Sequence, residues 1–234
     1  YKLLTLIYNY FSKKYQNKRY LKKNFKTNNS LLNKGYEIIK IQNIKINKDY
    51  LRESKIVNEY FKKFFIPEEN IKSFIENYFI YTNLYKTLTD LTGFNFCIDY
   101  FIIYQTFHIP KQKENDPIYA NNWHSDKPFS KNTIKVIFPL EHIGKKNGGI
   151  QIIDKNNSKK KIFNFENNLN NYFSMEANEN EVLVFNPNEC LHRAGIPAKN
   201  LSRKQIMFQL NPSHYWCYRS DIHLRQNNRE TKFP

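Results

Sequence analysis

The chain has 234 residues, 40% of them hydrophobic and 16% aromatic, enough to bury a sizeable core within one domain. No apolar run reaches the roughly 18 residues of a membrane-spanning helix, and three cysteines without a C-x-x-C pair exclude a disulfide frame and a thiolate zinc site. The formal charge of +16 points towards a polyanionic partner, but Lys, Asn, Ile, Tyr and Phe are all abundant beside only six Gly, as biased codon usage alone would produce.

Residues 2–26 predict a helix, with Leu3, Ile7, Tyr10 and Phe11 on one face and lysines following. Residues 1–26 carry seven Lys, one Arg and no acid, half of the net charge. We read 1–30 as a basic helical segment that could meet nucleic acid or an anionic membrane surface, and 31–234 as a single domain. The apolar start followed by Lys13 and Lys14 reverses the charge order of a signal peptide, so a reducing cytoplasm is the expected compartment. Tyr1 in place of Met leads us to expect sequence upstream. After a break at Asn28-Asn29-Ser30, the pairs Ile39, Ile41 and Ile44, Ile46 alternate, predicting short strands within 31–47. From Tyr50 to Thr89 apolar residues recur at three and four, including Ile56, Tyr60 and Phe64, then Ile71, Phe74, Ile75 and Tyr78. That spacing predicts two helices within 50–90, joined near Pro67, where Glu68 and Glu69 mark a helix start.

Beyond Gly93 the segments become short, β-branched and aromatic, separated by Asn, Pro and Gly. The predicted strands are Phe96–His108, Thr133–Leu140, Gly149–Asp154, Lys161–Phe165, Glu181–Phe185 and Lys204–Leu210. A helical front half followed by such a series predicts a mainly β fold with flanking helices, a sandwich or jelly roll.

Three positions carry the chemistry. In Trp123-His124-Ser125-Asp126, extended backbone sends residues two apart in the same direction, so His124 and Asp126 project together. His192 follows the apolar strand Val182-Leu183-Val184-Phe185 and a Pro187-Asn188 turn, and supplies the third ligand. Two histidines and one carboxylate on one octahedral face suit Fe(II) and leave three positions open, room for a bidentate 2-oxo acid and O₂. Arg203 opens an alternating strand in which Arg203, Gln205 and Met207 face one side and Ile206, Phe208 and Leu210 the other. A buried arginine there requires an anion, and the far carboxylate of a dicarboxylate cosubstrate provides one.

His124-Ser125-Asp126, His192 and Arg203 match the H-x-D … H … R pattern of the Fe(II)/2-oxoglutarate dioxygenases. The surrounding residues resemble the phytanoyl-CoA dioxygenase branch, which includes ectoine hydroxylase. The matching pieces are Trp123-His124-Ser125-Asp126, Asn147-Gly148 before a strand, His192-Arg193-Ala194-Gly195 and the arginine eleven residues after His192. The resemblance covers roughly residues 95–212. It implies a double-stranded β-helix (a cupin-like jelly roll), with Fe(II), 2-oxoglutarate and O₂ as reactants, ascorbate as a support in vitro, and succinate and CO₂ as products. The substrate it implies is an unidentified small molecule that becomes hydroxylated. Gln105 and His108, on the strand before the H-x-D loop, stand where relatives contact substrate or cosubstrate. Two departures are plain: Asp154-Lys155-Asn156-Asn157-Ser158 replaces the usual Pro-Gly-Ser-His stretch, and Ala194 stands where many relatives have Ser. Asp126 distinguishes the chain from related halogenases, which carry Ala or Gly there to admit halide.

Other candidates weigh less. His142, His214 and His223 read as surface or structural, and Arg193 points away from the ligands. Tyr215, Trp216 and Tyr218 form either a core cluster or a lid. Lys111, Lys113 and Lys127 flank the H-x-D segment and would favour an anionic substrate. The rival readings are a catalytically degenerate jelly roll that only binds, a cupin-type enzyme without 2-oxoglutarate, and a basic nucleic-acid or membrane-surface module.

Overall fold

The computed structural model describes residues 2–22, 29–42, 51, 53–126, 131–164, 169 and 171–228. Among them, helices α1 (Lys2–Tyr20) and α2 (Ser30–Lys34) lead into β1 (Tyr36–Lys40) and the hairpin β2 (Glu53–Asn58) and β3 (Phe61–Phe65). Two helices follow, α3 (Ile71–Phe79) and α4 (Leu84–Thr92), then the long β4 (Asn95–Phe107) and β5 (Ile134–Pro139). β6 (Gln151–Ile152), α5 (Lys155–Asn164), β7 (Phe173–Ser174), β8 (Glu181–Phe185), β9 (His192–Arg193), β10 (Ser202–Ser213), β11 (Cys217–Tyr218) and α6 (Ile222–Asn228) follow. No helix among the described residues is long and apolar enough to cross a membrane.

The strands form two facing sheets, a jelly roll. The larger runs β1-β8-β5-β10-β4-β3-β2, with β11 joining β4, and the smaller runs β7-β6-β9. Among the described residues every strand pairing is antiparallel except that of β11 with β4. The period of two along β10 decides what each face does. Ile206, Phe208 and Leu210 point outwards, where Phe101, Ile103 and Phe138 join them against Phe74, Tyr78 and Phe79 of α3. The rings interlock: Phe79 meets Phe208 edge to face at 5.0 Å, and Tyr78 meets Phe138 at 4.8 Å. Truncating a fully buried ring such as Phe208 to Ala would cost about 3–5 kcal/mol.

The inner face closes against the smaller sheet. Ile137, Leu183 and Phe185 pack there on Ile150, Ile152 and Met175, and a second apolar group of Phe61, Ile109 and Tyr119 seals another part of the interior. Gly149 lets the segments leading into β6 and out of β7 lie side by side within the smaller sheet, because a Cβ at this position would collide with the Met175 carbonyl.

The structure corrects two elements. Residues 53–65 form a hairpin and not a helix: Asn58 Oδ1 accepts from the Tyr60 amide at 2.8 Å and turns the chain, and β3 pairs with β4. The helical spacing of Ile56, Tyr60 and Phe64 misleads because Ile56 is 72% exposed and belongs to no apolar face. Lys161–Phe165 is not a strand, since α5 runs through residue 164 and Phe165 lies outside the described residues. Asp154 starts that helix by accepting from the amides of Asn156 and Asn157 at 2.9 and 3.0 Å. The expected helix over 2–26 is observed to residue 20, and residues 23–26, with Ile44 and Ile46, lie outside the described set. The last turn of α1 docks on the body: Tyr20 and Leu21 pack on the outer core, and Lys22 N donates to Gly93 O at 2.8 Å.

Candidate functional site

His124 and His192 approach from opposite sides of one backbone contact. Each donates its amide to the other's carbonyl, at 3.0 and 2.8 Å, which fixes the two chains side by side at the edge of the smaller sheet. The imidazole rings lie 4.4 Å apart. Asp126 is held by its own amide to the Pro187 carbonyl at 3.0 Å. Its Oδ1 lies 3.5 Å from His192 Nε2 and 3.8 Å from His124 Nε2, so that ligand atoms of all three residues fall within 4.8 Å of one another.

The far ring nitrogens orient the set. His124 Nδ1 contacts the Asn122 carbonyl at 2.8 Å and His192 Nδ1 the Cys190 carbonyl at 3.1 Å. A carbonyl only accepts, so both Nδ1 atoms carry the proton and both Nε2 lone pairs converge, the arrangement of histidine metal ligands. His192 Nε2 is buried with no hydrogen-bond partner. Burial lowers the His192 pKa to about 4, keeping the ring neutral and able to ligate.

Lys135, on β5, reaches into the same interior and places Nζ 2.6 Å from Asp126 Oδ2. Burial works against the Asp126 carboxylate, but Lys135 and then His192 outweigh it and hold the carboxyl well below the usual range. Burial likewise disfavours the Lys135 ammonium, and the Tyr100 and Asp126 oxygens outweigh it and raise its pKa.

Arg203 is fully buried on the inner face of β10. Its Nη1 donates to the Gly148 carbonyl and, at 3.3 Å, to that of Gly195. Gly148 adopts φ +68°, and a Cβ on Gly195 would press on Gly148 at 2.9 Å, so these glycines let two backbone segments close over the guanidinium. Arg203 Nε and Nη2 have no partner, nor do Thr106 Oγ1 and Gln205 Oε1. Thr106 is the direct cross-strand neighbour of Arg203, and Gln205, which donates to the Tyr104 hydroxyl at 2.5 Å, is the next residue on that face. Burial lowers the Arg203 pKa, partly offset by the nearby phenols of Tyr104 and Tyr119. Buried donors without a partner are costly, and a carboxylate would satisfy them.

The structure therefore brings His124, Asp126 and His192 together, and gathers Arg203, Gln205 and Thr106 on the neighbouring inner surface. It does not bring Gln105 there. Gln105 pairs with Lys204 on the outer face of the sheet and donates to Ser202 Oγ at 2.9 Å, since alternation along β4 turns it away from Arg203. His108 lies past the end of β4 with Nδ1 2.9 Å from the Pro197 carbonyl. Lys113 is engaged by Glu59 at 3.0 Å, and Lys127 lies outside the described residues. Trp216 packs in the outer core and donates to Thr89 Oγ1 at 2.9 Å, whereas Tyr215 is exposed. His142, His214 and His223 contact Asn178, Arg19 and Glu68, away from the site. Arg193 turns outwards onto the Trp123 ring. Two residues of the interior escaped the sequence reading. Lys135 had a signal, a lone charge inside the apolar strand Ile134–Pro139; Thr106 had none, because only strand register reveals what it faces.

No family model and no curated protein sequence matches the chain. Solved structures do resemble it. The non-heme α-ketoglutarate-dependent epimerase SnoN from nogalamycin biosynthesis aligns with a TM-score of 0.53 at 8% identity, over 78% of this chain and 79% of that one. HygX from Streptomyces hygroscopicus, solved with nickel and 2-oxoglutarate, gives 0.52 at 9% identity over 82% and 91%. EctD from S. alaskensis with bound Fe gives 0.50 at 11% identity over 88% of each. Identities this low establish the fold, mostly antiparallel β-sheet with flanking helices. The His124–Asp126–His192 set is compatible with Fe(II), and the Arg203 pocket with 2-oxoglutarate.

Proposed function

We propose that this chain is a non-haem Fe(II)- and 2-oxoglutarate-dependent oxygenase that hydroxylates a small molecule. One observation carries the reading: a His-Asp-His set with converging Nε2 atoms shares the jelly-roll interior with a fully buried arginine whose Nε and Nη2 lack partners. The solved structures of like fold belong to enzymes described as α-ketoglutarate-dependent or holding iron, nickel or 2-oxoglutarate, which agrees with it. The phytanoyl-CoA dioxygenase branch remains our assignment within that group, on the motifs around His124, Gly148 and His192.

His124, Asp126 and His192 would hold Fe(II) on one face, leaving three positions for the cosubstrate and O₂. When bound, the iron and 2-oxoglutarate supply the oxidising chemistry, releasing succinate and CO₂. The protein's share is geometry. The Asn122 and Cys190 carbonyls set the tautomers of both histidines. Arg203, with Thr106 beside it, would anchor the far carboxylate, and the apolar residues around Phe61, Ile109 and Tyr119 would keep water from that end.

The test is a screen for succinate released on adding each member of a metabolite panel, with Fe(II), 2-oxoglutarate and ascorbate. Loss of 2-oxoglutarate turnover in both His124→Ala and His192→Ala supports the assignment; turnover without added iron in chelator-treated protein refutes it.

A further inference from the structure

Asp126 presents its two carboxylate oxygens to different partners. Oδ1 faces the Nε2 atoms of His192 and His124, at 3.5 and 3.8 Å. Oδ2 takes the Lys135 ammonium at 2.6 Å. Lys135 is not a flexible surface residue that happens to reach this carboxylate. Its backbone lies in β5 between β8 and β10, opposite Phe185 and Gln209, and its side chain is only 9% exposed. A buried ammonium must lose its hydration shell, and here Asp126 Oδ2 takes its place as a partner.

A carboxylate ligand can bind a metal through one oxygen or both. If both oxygens bind, one of the three positions that a facial triad leaves open is lost, and with it the room for a chelating 2-oxo acid together with O₂. We propose that Lys135 is a positioning residue that reserves Asp126 Oδ2, keeps the carboxylate monodentate and so preserves the third open position. This rests on the metal-centre reading above. It separates two effects of Lys135. Its charge opposes metal binding, whereas its hydrogen bond governs how many positions the bound metal has left.

The experiment uses Mn(II) as the probe metal and counts its bound waters by water-proton relaxivity, without substrate or turnover. Lys135→Met removes the hydrogen bond and the charge; Lys135→Gln removes the charge and keeps a donor. In the wild type, Mn(II) should show three bound waters, and in Lys135→Met two, because Oδ2 swings onto the metal. Mn(II) affinity in Lys135→Met should equal or exceed that of the wild type, while 2-oxoglutarate binding to the Mn(II) form weakens about tenfold or more. Lys135→Gln should keep the third water. A wild type with two bound waters overturns the inference even if Lys135→Met fails to fold. So does a Lys135→Met protein that keeps three waters and binds 2-oxoglutarate normally. A wild type that binds no Mn(II) or Fe(II) instead removes the metal centre itself, a distinguishable failure.

Discussion

Arg203→Met removes the guanidinium while keeping an unbranched apolar side chain in its place. In the native protein Gly148 and Gly195 hold Nη1, so the side chain is already ordered and Nε and Nη2 remain for a ligand carboxylate. Binding then immobilises nothing further on the protein side, which saves the roughly 0.5–1.5 kcal/mol of ordering an exposed side chain. Loss of a buried charged pair costs about 2–5 kcal/mol, so 2-oxoglutarate should bind roughly 30- to 5,000-fold more weakly. Ligand-free stability is a poor readout, because two effects oppose. Removing Arg203 orphans two carbonyls, at about 1–3 kcal/mol each, and also relieves a buried charge worth several kcal/mol. The ligand-linked increment is clean. At 100 times its dissociation constant, 2-oxoglutarate should stabilise Mn(II)-loaded wild type by about 2.7 kcal/mol; with affinity reduced a hundredfold, the same concentration gives only about 0.4 kcal/mol. Denaturant unfolding with and without 2-oxoglutarate measures both. An undiminished increment would refute the assignment and mean that another group holds the cosubstrate.

The other expectations are narrower. Thr106→Val should weaken 2-oxoglutarate by a few-fold, about 0.5–1.5 kcal/mol, whereas Gln105→Ala, on the outer face, should leave its affinity unchanged; calorimetry reading the reverse would overturn the strand register. The metal-free protein should lose stability as pH falls from about 6.5 towards about 4, because there the unfolded chain protonates its His192 and the folded one does not. That contribution is at most about 3 kcal/mol and should vanish in His192→Ala, as followed by urea unfolding across the window. Deleting residues 1–12 should leave stability nearly unchanged, while deleting through Lys22 should lower the melting temperature, since Tyr20, Leu21 and the Lys22–Gly93 bond go with it. Equal melting temperatures for the two deletions would show that the docked turn contributes nothing.

What could be read from the sequence depended on how local its cause was. His124 and Asp126 were legible because extended backbone alone sends them the same way, and the inward side of β10 followed from the alternation of Arg203, Gln205 and Met207 against Ile206, Phe208 and Leu210. Where partners decide, the sequence misleads. The residues of β2 and β3 carry apolar spacing that fits a helix, and only pairing with β4 makes them a hairpin. Gln105 and Thr106 are adjacent in the chain, equally polar and on opposite faces, and nothing short of the register with Arg203 and Lys204 says which one looks inwards. The α5 segment differs in kind. Asp154 followed by two amides that its carboxylate can accept from is a local helix start, legible in principle although short strands surround it.

The charge of the chain divides in the same way. Biased codon usage can supply lysines to a surface, where they are solvated and almost free of consequence, and most of α1 and the Lys113–Glu59 pair fit that description. It does not account for a lysine in the middle of a sheet. Burying an ammonium or guanidinium costs several kcal/mol, and in a protein of ordinary stability that is a large fraction of the whole. Replacement by an apolar residue of similar volume would remove the penalty, so a buried cation implies a partner that makes it worthwhile. For Lys135 that partner is Asp126 Oδ2; for Arg203 the Gly148 and Gly195 carbonyls satisfy only Nη1. The net charge of +16 therefore says little, and the buried Lys135 and Arg203 say a great deal. Lys135 is paired with the Asp126 carboxylate, and Arg203 keeps two buried nitrogens without a partner, which is where an anion binding to this interior would be held.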